Sequence, residues 1–364
     1  MEFGLSQEQE FLRDTLTRFL ADNAGLPRAR TFADGNERRA DDLWKGLVEL
    51  GVPGLVIGEA HGGVGLSTLD AASAAQALGA AIAPVPFVAT AVLVPRALAR
   101  AGSGEQQSEW LPRLAAGEVI AGAALSEVAN GAREGAKVTA NKGKLSGKAL
   151  FVIDFEADVY LVADERRRLY LVDGGAKGLT RRTLASIDAT RRIGELHFDG
   201  VAAQQLPGSN DAEVVADLLD VGRVLLAADT LGAAQAMLQQ AVDYSLTRVQ
   251  FGRPIGSFQA VKHMCAEMAA EIEPCQSLVW YAAYAIDSIP AEARVTACHA
   301  KALVAEVGKF VAKTATEVHG GMGFTDLLGL HYWFKRIGLN RQLLGTPERL
   351  REEAARAQGL VAAG

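Results

Sequence analysis

Apolar positions recur with a helical period over roughly the first 115 residues, give way to short strand-like runs between about 118 and 205, and return to the helical period from about 211 to 361. Ser6 with Gln9 predicts a capping box ahead of Phe11, Leu12, Leu16, Phe19 and Leu20. Leu43, Trp44, Leu47 and Leu50 repeat the helical spacing until "GVPG" stops it, and Ser67 is placed to cap the Ala-rich segment that follows. The runs "GKALFVI", "DVYLVAD", "RRLYLVD" and "GELHFDG", separated by Gly, Asp and charged turns, predict a small antiparallel barrel or sandwich. Beyond them, helices are expected from about 211 to 246, 259 to 286, 290 to 319 and 346 to 360, with Pro274 kinking the second. The expected architecture is therefore mainly α with a central β module: a helical domain (1–117), a middle β domain (118–208) and a C-terminal four-helix bundle (209–364).

Composition narrows the function classes. A net charge of -6 and a pI near 5.6 argue against a nucleic-acid partner, which needs a basic face. Cys265, Cys275 and Cys298 form no C-x-x-C pair and the six His show no metal-ligand spacing, so buried thiols in a reducing, cytoplasmic setting are expected and no metal. The acidic start "MEFGLSQEQEFLRD" is unlike a signal peptide. The run "LGAAIAPVPFVATAVLVP" holds Pro84, Pro86 and Pro95, which suits buried core better than a membrane span. Neither G-x-G-x-x-G after a strand nor a Walker A sequence occurs.

Between the first two bundle helices lies "RVQFGRPIGSFQ". Arg248 offers a planar cation suited to a pyrophosphate, Gly252 and Gly256 permit tight backbone geometry, and Gln250 and Gln259 offer uncharged polar contacts. Arg253 could act likewise or face water, and the whole stretch could equally be an interhelix turn with surface arginines. "EVHGGMGF", Glu317 to Phe324, forms a second Gly-rich turn. "EAHGGVGL", Glu59 to Leu66, reads as a helix-joining turn, and His61, His319 and His331 as helix-end or packing residues.

These two stretches resemble the loops of the acyl-CoA dehydrogenase flavoprotein family. "LPRLAAGEVIAGAALSE" and "HFDGV" resemble its entry to and exit from a middle domain. The resemblance implies FAD held across a subunit interface. Arg248, Gln250, Phe251, Gln259, Glu317, Gly320 and Gly321 would face a neighbour's cofactor, and Leu125, Ser126, Phe151 and Thr346 would belong to this chain's own flavin side. An acid such as Glu317 near a pyrophosphate is unfavourable unless it is protonated or turned away.

The family's chemistry needs a carboxylate that removes the alpha proton of an acyl-CoA thioester, and losing such a base costs about 100- to 10,000-fold. The resemblance puts that carboxylate just before a Gly-Thr, where "RQLLGTPERL" has Leu344, or on the first bundle helix, where "LLDVGRVLLA" has Gly222. Asp220 is two residues from Gly222, a turn of roughly 200 degrees away, and otherwise reads as a solvated or helix-capping carboxylate. The flavin side departs too: Val128 and Ala132 replace a Pro and a Ser, and Ile153 lacks an expected hydroxyl.

The resemblance thus implies a base-deficient subunit of a heteromeric, steroid side-chain type enzyme, a heterotetramer with electron-transfer flavoprotein as acceptor; "IDATRRIGELHFDGV" resembles those relatives. Two alternatives stand beside it: a self-sufficient homo-oligomer using Asp220, Glu348 or Asp326 as base, and a noncatalytic acyl-CoA-binding paralogue.

Overall fold

Capping boxes at Ser6, Ser67 and Ser103 start three of the six helices in the first third of the chain. The computed structural model describes residues 4–130 and 135–361. These six helices are α1 (Gln7–Asn23), α2 (Leu26–Asp34), α3 (Asp41–Glu49), α4 (Thr68–Ala80), α5 (Val94–Ala101) and α6 (Gly104–Ala115). The proline-interrupted apolar run folds into the interior, with Ile82, Ala83 and Phe87–Val94 buried and a π-helical turn at Val88–Leu93. Among the described residues no helix is long and apolar enough to cross a membrane.

The middle of the chain forms two four-stranded sheets. In chain order its elements are β1 (Ala121–Ala124), α7 (Ser126–Asn130), β2 (Val138–Asn141), β3 (Lys144–Val152), β4 (Val159–Ala163), β5 (Leu169–Asp173), β6 (Leu179–Thr183), β7 (Gly194–Ala202) and β8 (Gln204–Gln205). One sheet runs β1-β4-β5-β8 and the other β2-β3-β7-β6. Among the described residues one isolated bridge, Ala123 to Ile153, links them, and neither closes into the barrel that the strand spacing allowed. One pair, β1 with β4, is parallel, unlike the all-antiparallel expectation. β1 and β4 are buried along their whole length, so they read as continuous apolar runs without alternation.

The last third is helical: α8 (Ala212–Thr247), a hairpin of β9 (Val249–Gln250) and β10 (Arg253–Pro254), α9 (Gln259–Ser288), α10 (Pro290–His319), α11 (Leu330–Gln342) and α12 (Pro347–Ala357). α9 continues through Pro274. α8, 36 residues long, is buried on nearly every face from Val214 to Ala234 and packs against α4, α9, α10 and α11. α4 and α8 touch backbone to backbone: a Cβ at Gly79 would lie 2.0 Å from the Asp229 carbonyl oxygen, and one at Gly232 would lie 1.9 Å from that of Gln76. The bundle was expected to have four helices, and α11 is a fifth that the apolar periodicity did not reveal.

A buried polar cluster joins the sheet module to the bundle. Arg336 of α11 is fully buried and donates to Asp188 at 2.6 Å, Thr190 Oγ1 at 2.5 Å and Asp229 of α8 at 3.3 Å. Arg191 donates to Asp229 (2.7 Å) and to the Asn340 amide oxygen (2.6 Å), while Asn340 donates to Asp229 at 2.6 Å. Lys301 of α10 extends the cluster through a 2.6 Å bond to the Asn340 carbonyl. For Arg336 and Asp229, hydrogen-bond partners and opposite charge on several sides are what make such burial tolerable.

Candidate functional site

α8 ends at Thr247 and the chain reverses through a two-residue turn, Phe251–Gly252, between β9 and β10. Both turn residues are left-handed (φ 52° and 77°), the pattern of a type I′ hairpin. Phe251 is 92% exposed there, and a left-handed backbone at a residue with a Cβ costs about 1–2 kcal/mol. Arg253 lies over the Phe258 ring at 4.1 Å, so an aromatic face holds it. Arg248 is exposed and its guanidinium has no ion-pair partner among the described residues. Gln250 donates to the Val249 carbonyl at 2.8 Å, and Gln259 is 2.9 Å from His263. Both amides sit at the surface, where they can be redirected.

α10 ends at His319 and continues as the turn Gly320–Phe324. A Cβ at Gly320 or Gly321 would meet nothing within 4 Å, which leaves their backbone open to approach by a ligand. Glu317 faces solvent. The rings of Tyr244 and His319 stack with centroids 4.5 Å apart, so the hairpin after α8 and the turn after α10 meet at one end of the bundle. Leu246, Val249, Phe251 and Phe324 are exposed apolar residues on or beside these two segments. A free cation, open glycine backbone and exposed apolar residues fit a dinucleotide lying against a second surface. Sequence reasoning did not single out Tyr244 and used His319 only as a packing residue.

Leu125 and Ser126, by contrast, are buried, and the Ser126 hydroxyl donates to the Phe151 carbonyl at 3.1 Å. Phe151 is half-buried with φ 50°, and Ile153 is buried in its bridge to Ala123. The Thr346 hydroxyl bonds the Glu348 carboxylate at the start of α12. Ala132 lies outside the described residues.

The two positions expected for the base face each other. A Cβ at Gly222 would lie 2.5 Å from Leu344 Cδ1, and Leu344 is fully buried. Leu344 has φ 55°, and its carbonyl accepts from Arg223 Nε at 3.1 Å. The space between the positions is filled with hydrocarbon.

Asp220 is neither solvated nor a helix cap. It is buried and paired with Arg294 at 2.6 Å and Arg223 at 3.1 Å; burial pushes its pKa up while both guanidiniums pull it down. Arg223 also forks onto Glu353 at 2.8 and 2.7 Å. Asp220, Cys298 and Glu353 bring ligand-type atoms within 4.8 Å of one another, but guanidiniums already neutralise both carboxylates and burial pushes the Cys298 thiol up to about 12. Glu348 is exposed and paired with Arg341, and Asp326 is exposed and paired with His331. A cleft of about 460 Å³ opens beside Arg223, lined in part by Arg167, Arg294, Arg349 and Arg356 against Glu352 and Glu353.

Comparison with known proteins follows the same outline. The family model for the N-terminal domain of acyl-CoA dehydrogenases matches residues 6–118, and that for the C-terminal domain matches 212–359. The acyl-CoA dehydrogenase IpdE2 of Mycobacterium tuberculosis is 31% identical over 345 residues, covering 94% of both chains. The ChsE4-ChsE5 complex of Mycobacterium tuberculosis contains a chain with TM-score 0.90 and 26% identity, covering 100% of both chains. A variant of the Tcur3481-Tcur3483 steroid ACAD gives TM-score 0.88 and 28% identity, covering 97% of this chain and 98% of its own.

Proposed function

The chain belongs to the acyl-CoA dehydrogenase family, and from that premise we propose that it is the base-deficient subunit of a heteromeric, FAD-dependent acyl-CoA dehydrogenase. The observation that carries this is Leu344 packed onto Gly222, where a carboxylate would have to stand. FAD, when bound, would supply a hydride acceptor for the beta hydrogen of an acyl thioester. Neither Leu nor Gly can take the alpha proton. Asp220 is held by two arginines, and Glu348 and Asp326 lie at the surface in ion pairs of their own.

This chain's contribution lies at the other end of the bundle. Arg248, Gln250, Gln259 and the open Gly320–Gly321 backbone would hold the pyrophosphate and adenosine of a FAD whose ring rests on the companion chain, with Phe251 and Phe324 seated against that chain. Glu317 is exposed beside the same turn and would have to be protonated or turned away from the phosphates. Two relatives support a two-chain assembly by their own descriptions, one a complex of ChsE4 with ChsE5 and the other a steroid ACAD named by two components. A steroid-type acyl-CoA thioester is the corresponding substrate, a heterotetramer the assembly and electron-transfer flavoprotein the acceptor.

The test is flavin content. Purified alone, the chain carries less than about a tenth of an equivalent of FAD; co-purified with the acyl-CoA dehydrogenase homologue encoded beside it, the complex is yellow and binds FAD stoichiometrically. Stoichiometric FAD on the chain alone defeats the proposal.

A further inference from the structure

Each half of the dinucleotide end is pinned to its own helix. The hairpin is tied to α8 by the Ile255 N–H donating to the Arg248 carbonyl at 2.8 Å and by Gly256, whose Cβ would lie 2.9 Å from Ser245 Oγ. The turn is tied to α10 by Gly323, where a Cβ would lie 2.6 Å from the Thr316 carbonyl oxygen. The aromatic contact bridging the two halves is the Tyr244–His319 stack, 4.5 Å between centroids and 30° between planes.

Both residues stand directly behind the loops. The Tyr244 carbonyl accepts the Arg248 N–H at 2.8 Å, and His319 is the last residue of α10, immediately before Gly320. The His319 ring is fixed by its Nδ1 contact with the Ala315 carbonyl at 2.7 Å and by a hydrogen bond to the Gln240 backbone on α8. His319 is buried and Tyr244 partly so, which sets them behind the exposed Arg248, Phe251 and Gly321 instead of among the groups a ligand would touch.

We infer that Tyr244 and His319 are positioning residues, whose stack fixes the spacing between Arg248 on one loop and the Gly320–Gly321 backbone on the other. The inference rests on the reading that this end grips a FAD. A dinucleotide held by both loops at once needs them preset, because ordering them on binding would subtract from affinity. The stack supplies that order through ring faces, so the ring matters and the Tyr244 hydroxyl does not.

The experiment uses the complex of this chain with its companion, stripped of flavin and titrated with FAD while flavin fluorescence is followed, with melting midpoints recorded in parallel. Y244A and H319A are expected to weaken FAD binding about five- to tenfold, as loss of an aromatic pair implies. Y244F, which keeps a ring in place, should stay within about twofold of the parent. The Y244A/H319A double variant should be no worse than the weaker single variant, because both remove one shared contact. Should Y244A fail to fold, Y244L, which removes the ring and keeps apolar bulk, makes the same comparison with Y244F. Parent-like FAD affinity in both alanine variants overturns the inference, as does a Y244F variant as weak as Y244A. A parent complex that takes up no FAD overturns the grip itself, a result distinct from a parent that binds while the variants are indifferent.

Discussion

Leu344 and Gly222 behave as a complementary pair, one side chain filling the space the other lacks. A methyl group at position 222 would press on Leu344 Cδ1 at 2.5 Å. Gly222→Ala should therefore cost about 1–3 kcal/mol of stability in urea unfolding. Introducing it into a Leu344→Ala background should cost distinctly less; equal costs in both backgrounds would show that the two residues do not meet. Lys301 gives a second residue-scale prediction. Its ammonium is fully buried with one hydrogen bond, to Asn340, and burial together with Arg223 and Arg341 pushes its pKa down to about 7. An unfolded lysine titrates near 10.5, so between pH 7 and about 10 the unfolded chain holds the extra proton and stability rises with pH. Lys301→Met should raise the melting temperature by a few degrees at pH 7 and lose that advantage toward pH 10; a constant difference would contradict it. Asp154, pushed up to about 6 by burial, acts in the opposite sense at lower pH, where stability falls as pH rises from about 4 to 6.

At the scale of elements, α8, α9 and α10 were legible because long runs of helix-forming residues are separated by defined breaks, the hairpin and Pro290. α11 was not. It begins after Gly329 without a side-chain cap, and it buries Arg336 and Asn340, so polar residues occupy the face that periodicity expects to be apolar. The partners of those residues, Asp188, Thr190, Arg191 and Asp229, come from distant segments, and nothing local announces that they meet. Arg336→Met strands Asp188 and half of Asp229 without a counter-ion and should cost about 3–5 kcal/mol in chemical denaturation. A loss below about 1 kcal/mol would mean that the cluster does not couple α11 to the sheet module. The hairpin was legible as a defined loop, whereas its exposed left-handed Phe251 was not. Phe251→Gly relieves the backbone, so this chain should keep or slightly gain stability while its association with the companion weakens. Unchanged association in analytical ultracentrifugation would remove Phe251 from the interface.

For the whole molecule, the order of helices, sheets and bundle could be read from the periods of the sequence, while the openness of the sheets and the parallel β1–β4 pair depend on contacts that no local pattern carries. The candidate site was legible in a similarly uneven way. Arg248 and the Gly320–Gly321 turn announced themselves by residue type, but their meeting at one end depends on Tyr244 and His319, 75 residues apart in sequence. The Leu344–Gly222 contact lies near the opposite end of α8 from the hairpin, beside the arginine-lined cleft, so the two ends of the bundle present different surfaces. The most direct measurement is anaerobic bleaching of flavin absorbance near 450 nm by acyl-CoA, with FAD supplied in excess to this chain alone and to its complex with the companion. Rapid bleaching of the complex, with none by the chain alone over the same period, is the predicted result; bleaching of the solitary chain at a comparable rate would contradict the account.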